Sequence, residues 1–297
     1  MYLPADKFPV PRATVPDRRV ASRKFISGVR EITRMRAEIG RNAGEPTADE
    51  RSSARVHVRR LDVADTLRWS WVTLRARPEL VALALAANLP AVAAALGITR
   101  PSPSADLDVA VWTLPASLVQ LLALAVVAGV VYLSAADAVA DRSRALSDRV
   151  RSSLRRVPAL VATGVAFALA VGAGLAPAYL VEGSTLPELV GVALAALFAA
   201  YAFYRLLLAF PACVIDATGP VASVRSGWAA ATGTVGKVFA VGAVYAVAGV
   251  ASAVASGLFG GEYDAAPAVA LATAGAVLFP FFGLALAHLY LEGSRNR

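Results

Sequence analysis

Few side chains in this sequence combine a chemically active group with a position where it could act. The chain has two histidines, His57 in a polar region and His288 near the end of the last apolar segment. An imidazole inside a membrane could relay protons, because ionisable groups in spanning segments are functional candidates by default. His288 is also close to Tyr290 and to the predicted membrane surface, where an amphipathic ring is stable. We therefore interpret His288 as a surface-level side chain.

Arg205 and two carboxylates are the other candidates. Arg205 lies within one helical turn of Tyr201 and Tyr204, so these side chains could line a pathway. An arginine that extends to the membrane surface explains the same pattern, and we favour that anchoring role. Asp137 and Asp216 can each pair with a neighbouring arginine. Neither has the second carboxylate or the histidine that hydrolytic chemistry usually requires.

Signatures of metal, nucleotide and redox chemistry are missing from the sequence. Cys213 is the only cysteine, so no intramolecular disulfide can form, and no Cys/His cluster offers metal ligands. No phosphate-binding glycine loop with a lysine and no dinucleotide fingerprint occurs. The sequence therefore predicts no catalytic, cofactor-binding or metal-binding residue, no cofactor, and a protein that is not an enzyme.

The composition indicates the elements that carry these residues. Of 297 residues, 57% are hydrophobic and 17% are charged, whereas charged residues make up roughly a quarter of a soluble domain. Six apolar segments approach or exceed the roughly 20 residues needed to cross a hydrocarbon core about 30 Å thick. The sequence predicts an all-α, polytopic integral membrane protein with six transmembrane helices, near residues 79–97, 109–136, 158–181, 188–210, 237–259 and 267–291.

The distribution of basic residues among the connections predicts the orientation. The loops after spans one, three and five hold one basic residue, Arg100, and are chiefly acidic. Every other lysine and arginine falls on the opposite face of a six-span chain, as the positive-inside rule requires. An odd number of spans would scatter these charges over both faces. We therefore predict a multi-pass protein of the cell membrane with cytoplasmic amino and carboxyl termini.

The first part of the chain differs from the rest. Residues 1–60 are polar and basic, and we interpret them as a largely disordered cytoplasmic region ahead of a six-helix membrane domain at 61–297. The region has no apolar run, so it is not a secretory signal peptide. Apolar residues between Phe25 and Ile39 recur at helical spacing among basic residues, which permits a helix on anionic lipid. A disordered linker, or a translation start at Met35, explains the same residues.

A short pattern recurs before each span that leaves the cytoplasmic face. It reads apolar, arginine, any residue, small, apolar, at residues 67–71, 150–154 and 224–228. The chain therefore looks like three helical hairpins, each introduced by an amphipathic interfacial helix on the cytoplasmic side. Tryptophans at headgroup level and arginines that reach into it would anchor these helices. The alternative is that basic loops produce such matches by chance.

Small residues also recur inside the predicted spans. Gly164 and Gly172 lie in one span, and Gly249 and Gly257 in another, each pair with an alanine midway. Four-residue spacing of small side chains lets helix backbones approach closely. We expect these positions to be helix-packing contacts.

The most distinctive motif lies between the fourth and fifth spans. Residues 210–216 read Phe-Pro-Ala-Cys-Val-Ile-Asp, a Thr-Gly-Pro turn follows at 218–220, and Ser-Val-Arg-Ser-Gly-Trp occupies 223–228, ahead of Gly233. This stretch resembles the corresponding loop in a broad group of six-helix prokaryotic membrane domains of unknown function. That group includes the membrane domain found beside some glycerophosphodiester phosphodiesterases.

The resemblance covers about residues 61–291 and implies a six-helix membrane fold, without an activity or site residues. In that group a proline ends the fourth span, an acidic residue and a glycine form a turn, and a Ser-Trp pair follows. Here Gly227 separates Ser226 from Trp228. The soluble phosphodiesterase barrel of the fused proteins has no counterpart in this sequence.

The sequence favours an integral membrane protein of unassigned, non-enzymatic role that organises lipid or partner proteins through its cytoplasmic helices. The expected partners are the lipid bilayer, with anionic headgroups at the cytoplasmic face, and membrane or cytoplasmic proteins. Because topology explains the excess positive charge, we expect no nucleic acid. The alternative is a transporter or permease subunit, for which six spans are suitable. No charged residue stands at a predicted bilayer midplane, which argues against ion coupling.

Overall fold

The structure, a computed structural model, describes residues 58–99, 106, 108–179, 186–260 and 265–295. The predicted amphipathic segment at 25–39, His57 and Arg100 lie outside these residues. The described chain forms a short two-stranded ribbon, a single turn of 3₁₀ helix at Gly257–Phe259, and α-helices. The helices are α1 (Val63–Arg75), α2 (Glu79–Leu96), α3 (Thr113–Val139), α4 (Leu146–Leu154), α5 (Val157–Tyr179), α6 (Leu186–Leu206), α7 (Ala209–Ile215), α8 (Pro220–Ala231), α9 (Val235–Ser256) and α10 (Ala265–Arg295).

Six stretches of the described chain are helical, long and apolar enough to cross a membrane, which confirms the six predicted spans. The second span begins at Thr113, later than predicted. The residues before it instead form strand β2 (Asp108–Val109), which pairs antiparallel with β1 (Ile98–Thr99). The stretches are Glu79–Leu96, Thr113–Val139, Val157–Ala176, Leu189–Ile215, Val235–Phe259 and Ala265–Arg295.

The fourth span is interrupted before it ends. Predicted as one segment over 188–210, it consists of α6, which ends at Leu206, and α7, which begins at Ala209. Pro211 explains the break, because it has no backbone N–H to donate to the carbonyl of Leu207 and its ring crowds that carbonyl. The residues of α7 from Pro211 to Val214 are buried, and the helix packs against α3, α5 and α8. The chain therefore leaves the fourth span through the interior of the bundle.

The spans α2 and α3 run in opposite directions, and so do α9 and α10. Gly97, just after α2, lies against Thr113 at the start of α3, while Arg77, just before α2, donates a hydrogen bond to the Ser134 carbonyl near the end of α3. Lys237 near the start of α9 likewise meets Glu292 near the end of α10. The starts of α2, α5 and α9 therefore share one end of the bundle with α1, α4 and α8. We call it the basic end, because the described lysine and most described arginines lie there.

The densest packing joins α2, α3 and α10, which we call the central frame. Leu80, Val130 and Leu284 are completely buried in it. The helices come close because one of them carries a glycine at the contact: a Cβ at Gly283 would stand 2.9 Å from the Cγ1 atom of Val131. Helix α9 packs on one side of this frame, against α10.

Helices α5 and α6, which we call the outer pair, are held differently. They pack mainly against each other and reach the rest of the bundle chiefly through α7 and α8. The prediction that the recurring glycines are helix contacts is wrong at Gly172, Gly249 and Gly257, where no described atom lies within 4 Å of the position of a Cβ. Only Gly164 meets another helix, with the Phe210 ring at 3.8 Å.

The three recurring segments fold into equivalent helices, α1, α4 and α8. From residues 62, 145 and 219 onward, the same order of exposed, half-buried and buried side chains repeats over ten positions. The motif arginines are exposed in all three, whereas the small residue and the residue one turn before it are buried. These buried pairs are Thr66 and Ser70, Arg149 and Ser153, and Ser223 and Gly227. The repeat is therefore one of structure as well as of sequence.

In α4 and α8 the small residue of the motif holds its helix in place. The Ser153 hydroxyl donates a hydrogen bond of 2.7 Å to the Val126 carbonyl on α3, beside Gly129, where a Cβ would stand 2.8 Å from that of Ser153. A Cβ at Gly227 would stand 2.6 Å from the Cα of Ala209 on α7. Larger residues at these positions would separate the short helices from the bundle.

Candidate functional site

An apolar cavity of about 800 Å³ is a feature of the described bundle that could hold a ligand. It lies in the half of the bundle nearer the basic end, between the central frame with α9 on one side and the outer pair on the other. Leu121 and Val165 line it and are 57% and 55% exposed, so it is open to the outer surface between α3 and α5. The walls consist of Leu121, Leu124, Ala125, Ala128, Tyr132, Leu160, Val161, Gly164, Val165, Ala168, Phe203, Tyr204, Leu207, Phe210, Val241, Gly242, Tyr245, Ala246, Phe279, Phe282, Gly283 and Leu286.

The cavity exists because the outer pair does not close against the frame. A Cβ at Gly242 would stand 3.1 Å from the Cδ1 atom of Tyr204, so this tyrosine ring is already in contact with α9 and fixes the distance between α6 and α9. Phe167 packs against both Phe203 and Phe210, with ring centroids 5.2 and 5.4 Å apart. These aromatic rings hold the helices apart at the level of the cavity.

Three tyrosines supply the polar atoms of the cavity wall. Tyr132, Tyr204 and Tyr245 line it together with aliphatic and phenylalanine side chains, and no charged residue lines it. Within the described part of the chain, none of these three hydroxyls makes a hydrogen bond. Tyr132 is buried, and a buried tyrosine hydroxyl usually has a partner. The cavity therefore offers up to three hydrogen-bonding groups to an otherwise apolar occupant.

Asp137, predicted to pair with a neighbouring arginine, does so. Its carboxylate is buried at the end of α3 and accepts from the Arg144 Nε at 2.8 and 3.1 Å, while the Arg144 Nη2 is 2.7 Å from its Oδ1. This two-point contact with a guanidinium is the strong geometry for an ion pair. Asp137 therefore closes the turn between α3 and α4 and does not line the cavity.

A second polar cluster joins α2, α3 and α4 beside it. Arg77 Nη1 donates to the Ser134 carbonyl at 2.7 Å, and Arg149 Nη1 donates to the Ser134 hydroxyl at 2.6 Å. The Arg149 Nη2 is 3.6 Å from the Glu79 carboxylate. Burial lowers the pKa of Arg77, and Arg149 lowers it further, while Asp137 and Glu79 raise it. The arginine stays charged, so the cluster joins three helices without offering a proton donor.

Asp216 also pairs with an arginine, although one distant in sequence. It accepts a short hydrogen bond from the Tyr290 hydroxyl, and the Arg295 Nη2 lies 3.1 Å from its Oδ1. Arg156 donates to the carbonyl of the next residue, Ala217, at 3.0 Å. Asp216 thus connects the turn after α7 to the end of α10, and it is a structural ion pair.

His288 lies at the basic end, as predicted, but inside the protein. It is 3% exposed, and its ring centroid is 4.7 Å from that of Trp69 on α1, because α1 covers this side of α10. One turn later, the buried Glu292 binds Lys237 Nζ at 2.6 Å, and the same Nζ donates to the Leu61 carbonyl at 2.6 Å. Sequence reasoning missed Glu292, although a carboxylate in the last turn of an apolar helix was a signal for such a pair.

Arg205 is held between aromatic rings, as its spacing from Tyr201 suggested. Its guanidinium carbon lies 4.7 Å from the Trp228 ring centroid and 5.3 Å from that of Tyr201. Its Nη2 donates to the Thr232 hydroxyl at 3.2 Å. Tyr204 points elsewhere: it contacts α9 and lines the cavity. Arg205 therefore joins α6 to α8, away from the cavity wall.

The remaining candidate residue, Cys213, belongs to no reactive cluster in the described chain. Cys213 is buried in α7 and donates a weak bond to the Thr218 carbonyl at 3.7 Å. Among the described residues, no group of three or more His, Cys, Asp or Glu side chains could hold a metal ion. The cavity, and not the titratable residues, is therefore the candidate site.

Comparison with known proteins finds no matching family model, no similar curated protein and no similar solved structure. The resemblance to six-helix prokaryotic membrane domains therefore stays a prediction.

Proposed function

We propose that this chain is a non-enzymatic, multi-pass protein of the cell membrane that holds the acyl chain of a membrane lipid in its cavity and so organises lipid around it. The observation that carries the proposal is the apolar cavity of about 800 Å³ between the central frame and the outer pair. That volume lies within the roughly 300–1,000 Å³ range of small-molecule sites.

The wall chemistry favours an acyl chain over a water-soluble ligand. An apolar cavity does not hold ordered water, because water needs several polar partners there. Three tyrosine hydroxyls are the polar groups of the wall, which suits a molecule that is mostly hydrocarbon with a few oxygen acceptors, such as the ester carbonyls of a lipid. The opening between α3 and α5 faces the surface that the six apolar helices present to a bilayer.

The charge distribution supports the orientation that we propose. Exposed arginines of the three short helices, Arg68, Arg151 and Arg225, lie at equivalent positions, each followed three residues later by Trp71, Leu154 or Trp228, which are exposed as well. Basic side chains beside exposed apolar ones are typical of helices at an anionic membrane surface. We propose that α1, α4 and α8 are interfacial helices on the cytoplasmic side, that each introduces a helical hairpin, and that both termini are cytoplasmic.

The test is to fill the cavity without changing the rest of the protein. Gly164→Leu places a side chain in the cavity wall, where the nearest atom is the Phe210 ring at 3.8 Å. Gly172→Leu, two turns along the same helix, meets no described atom within 4 Å and is the matched control. Detergent-purified protein is titrated with dioleoylglycerol, and bound lipid is counted by native mass spectrometry. We expect Gly164→Leu to lower the affinity by about tenfold and Gly172→Leu to leave it unchanged.

Equal lipid binding by the two variants would overturn the proposal, since the cavity would then not be the binding site. Substrate-dependent flux of a water-soluble solute in proteoliposomes, above the rate in empty vesicles, would favour the transporter alternative. The two experiments are independent, because an acyl chain held in the wall does not require passage across the bilayer.

A further inference from the structure

We infer that Arg205, together with Trp228 and Thr232, forms a binding site for a phosphate group, with the headgroup of a membrane lipid as its source. The inference rests on the proposed membrane orientation but not on occupancy of the cavity. On α6 the cavity-lining positions are Phe203 and Tyr204, whereas Arg205 faces α8. The two sites are therefore on different sides of the same helix.

Arg205 is a charged group that the described structure holds in place without a carboxylate. Its guanidinium lies over the Trp228 and Tyr201 rings at 4.7 and 5.3 Å, and these two rings meet edge to face at 6.0 Å. Its single hydrogen bond in the described chain goes to the neutral Thr232 hydroxyl. Its Nε is buried and has no hydrogen-bond partner there. The aromatic rings fix the orientation of the guanidinium without neutralising it.

The other half-buried or buried cations at this end are satisfied differently. Lys237 binds Glu292 and the Leu61 carbonyl, and Arg149 binds the Ser134 hydroxyl and lies near Glu79. These two groups join helices and have their charges balanced, while Arg77 and Arg156 donate to the carbonyls of Ser134 and Ala217. Arg205 differs because the described chain gives it neither a carboxylate nor a carbonyl oxygen as acceptor, only the Thr232 hydroxyl.

A phosphate matches the free N–H donors of Arg205 in charge and in geometry. A guanidinium presents its donors in a planar fork that matches two phosphate oxygens, and such bonds are about twice as strong as neutral ones. The guanidinium is level with the start of α9, because Thr232 precedes Val235, the first residue of that helix. At that level a spanning helix reaches the headgroup region, where tryptophan is also enriched. Trp228, 37% exposed, would flank the headgroup.

The experiment separates the phosphate from the rest of the lipid. Native mass spectrometry measures the affinity of the full chain for dioleoyl phosphatidylglycerol and for dioleoylglycerol, which lacks the phosphate. The variants are Arg205→Gln, Arg205→Lys and the control Arg142→Gln, an exposed arginine in the turn between α3 and α4. We expect Arg205→Gln to weaken phosphatidylglycerol binding by about tenfold and Arg205→Lys by less, because lysine keeps the charge and loses the fork.

Dioleoylglycerol binding should be the same in all four proteins, and Arg142→Gln should bind phosphatidylglycerol like the wild type. Competition by millimolar inorganic phosphate that abolishes the Arg205 effect would identify free phosphate as the better ligand of the same site. Unchanged phosphatidylglycerol binding in Arg205→Gln would overturn the inference, and so would an equal loss of both lipids. If Arg205→Gln does not fold, the phosphatidylglycerol affinity of Arg205→Lys tests the inference instead. A failed cavity test with Gly164→Leu leaves this result intact, so the two proposals fail separately.

Discussion

The central frame and the outer pair are built from the same alanine-, valine- and glycine-rich sequence, yet they pack in opposite ways. In the frame, Leu284 and Val130 are fully buried, and a glycine brings α10 against α3. In the outer pair, Leu169 and Leu197 are 68% and 67% exposed, and Gly172 touches no other described helix. In a bilayer, apolar side chains are stable in both arrangements, because lipid tails are as apolar as a helix neighbour. The difference is therefore between helices fixed by contacts and helices that leave room for an occupant.

The strongest test of this comparison places a large side chain at a close helix contact. Gly227→Leu would drive its side chain into the backbone of α7, where a Cβ alone would stand 2.6 Å from the Ala209 Cα. We expect a loss of about 3 kcal/mol or more in the free energy of unfolding, above the usual range for overpacking because backbone atoms cannot rotate away. Unfolding in bicelles by denaturing detergent measures it.

Gly172→Leu in the outer pair is the control for this prediction, with an expected change near zero. A similar loss in both variants would mean that the outer pair is packed as tightly as the short helices, and the contrast would be lost.

A second test removes a side chain instead of adding one. Leu284→Ala opens a void among α2, α3 and α10, and we expect it to lower the free energy of unfolding by about 2 kcal/mol. This lies at the lower end of the range for buried leucines, because lipid replaces water as the alternative environment and only packing is lost.

Leu169→Ala is the same substitution on the outside of the bundle, so we expect it to lower the free energy of unfolding by less than about 0.5 kcal/mol. Equal losses, measured in the same bicelles, would show that Leu169 has a packing partner and would contradict the exposed position described for it.

The smallest expected difference concerns the two ion pairs that connect α10 to the rest of the basic end. Glu292→Gln leaves Lys237, whose side chain is 29% exposed, without its buried partner, and we expect a loss of about 2 kcal/mol. Asp216→Asn should cost less than about 1 kcal/mol, because Arg295 is 51% exposed and the amide oxygen still accepts from Tyr290.

Hydrogen exchange would show where each loss acts. In Glu292→Gln, the amides near Leu61 should exchange faster, since Leu61 is tied to Lys237. If exchange near Leu61 stays at the wild-type rate, the buried pair does not hold the entry to α1.

The six spans were predictable because apolar length alone determines them, and the short helices were predictable because their motif repeats. The break at Pro211 could also have been read from the sequence, since proline removes a specific hydrogen bond. The late start of the second span could not, because it depends on the pairing of Asp108 with Thr99. The need for glycine at position 227 could not be predicted either, because it depends on the close approach of α7, where a Cβ would stand 2.6 Å from the Ala209 Cα.

The cavity could not be predicted from the sequence, for a related reason. Tyr132, Tyr204 and Tyr245 lie on three different helices, and nothing in their spacing along the chain brings them to one wall. Gly164 and Gly172 have the same sequence context, yet one lines a cavity and the other faces outward. Hydropathy distinguishes apolar from polar positions, but it does not distinguish a position that faces lipid from one that faces an internal space.

The contact of α10 with α1 and α2 has a consequence for the order of biosynthesis. A ribosome makes α1 and α2 before the other described helices and α10 after them. The side of α2 that α10 covers therefore has no helix packed against it during most of translation. The nascent chain therefore inserts its first spans with their permanent neighbour still unmade. Completion of the central frame is therefore a late event, and lipid can cover that side of α2 until α10 is inserted.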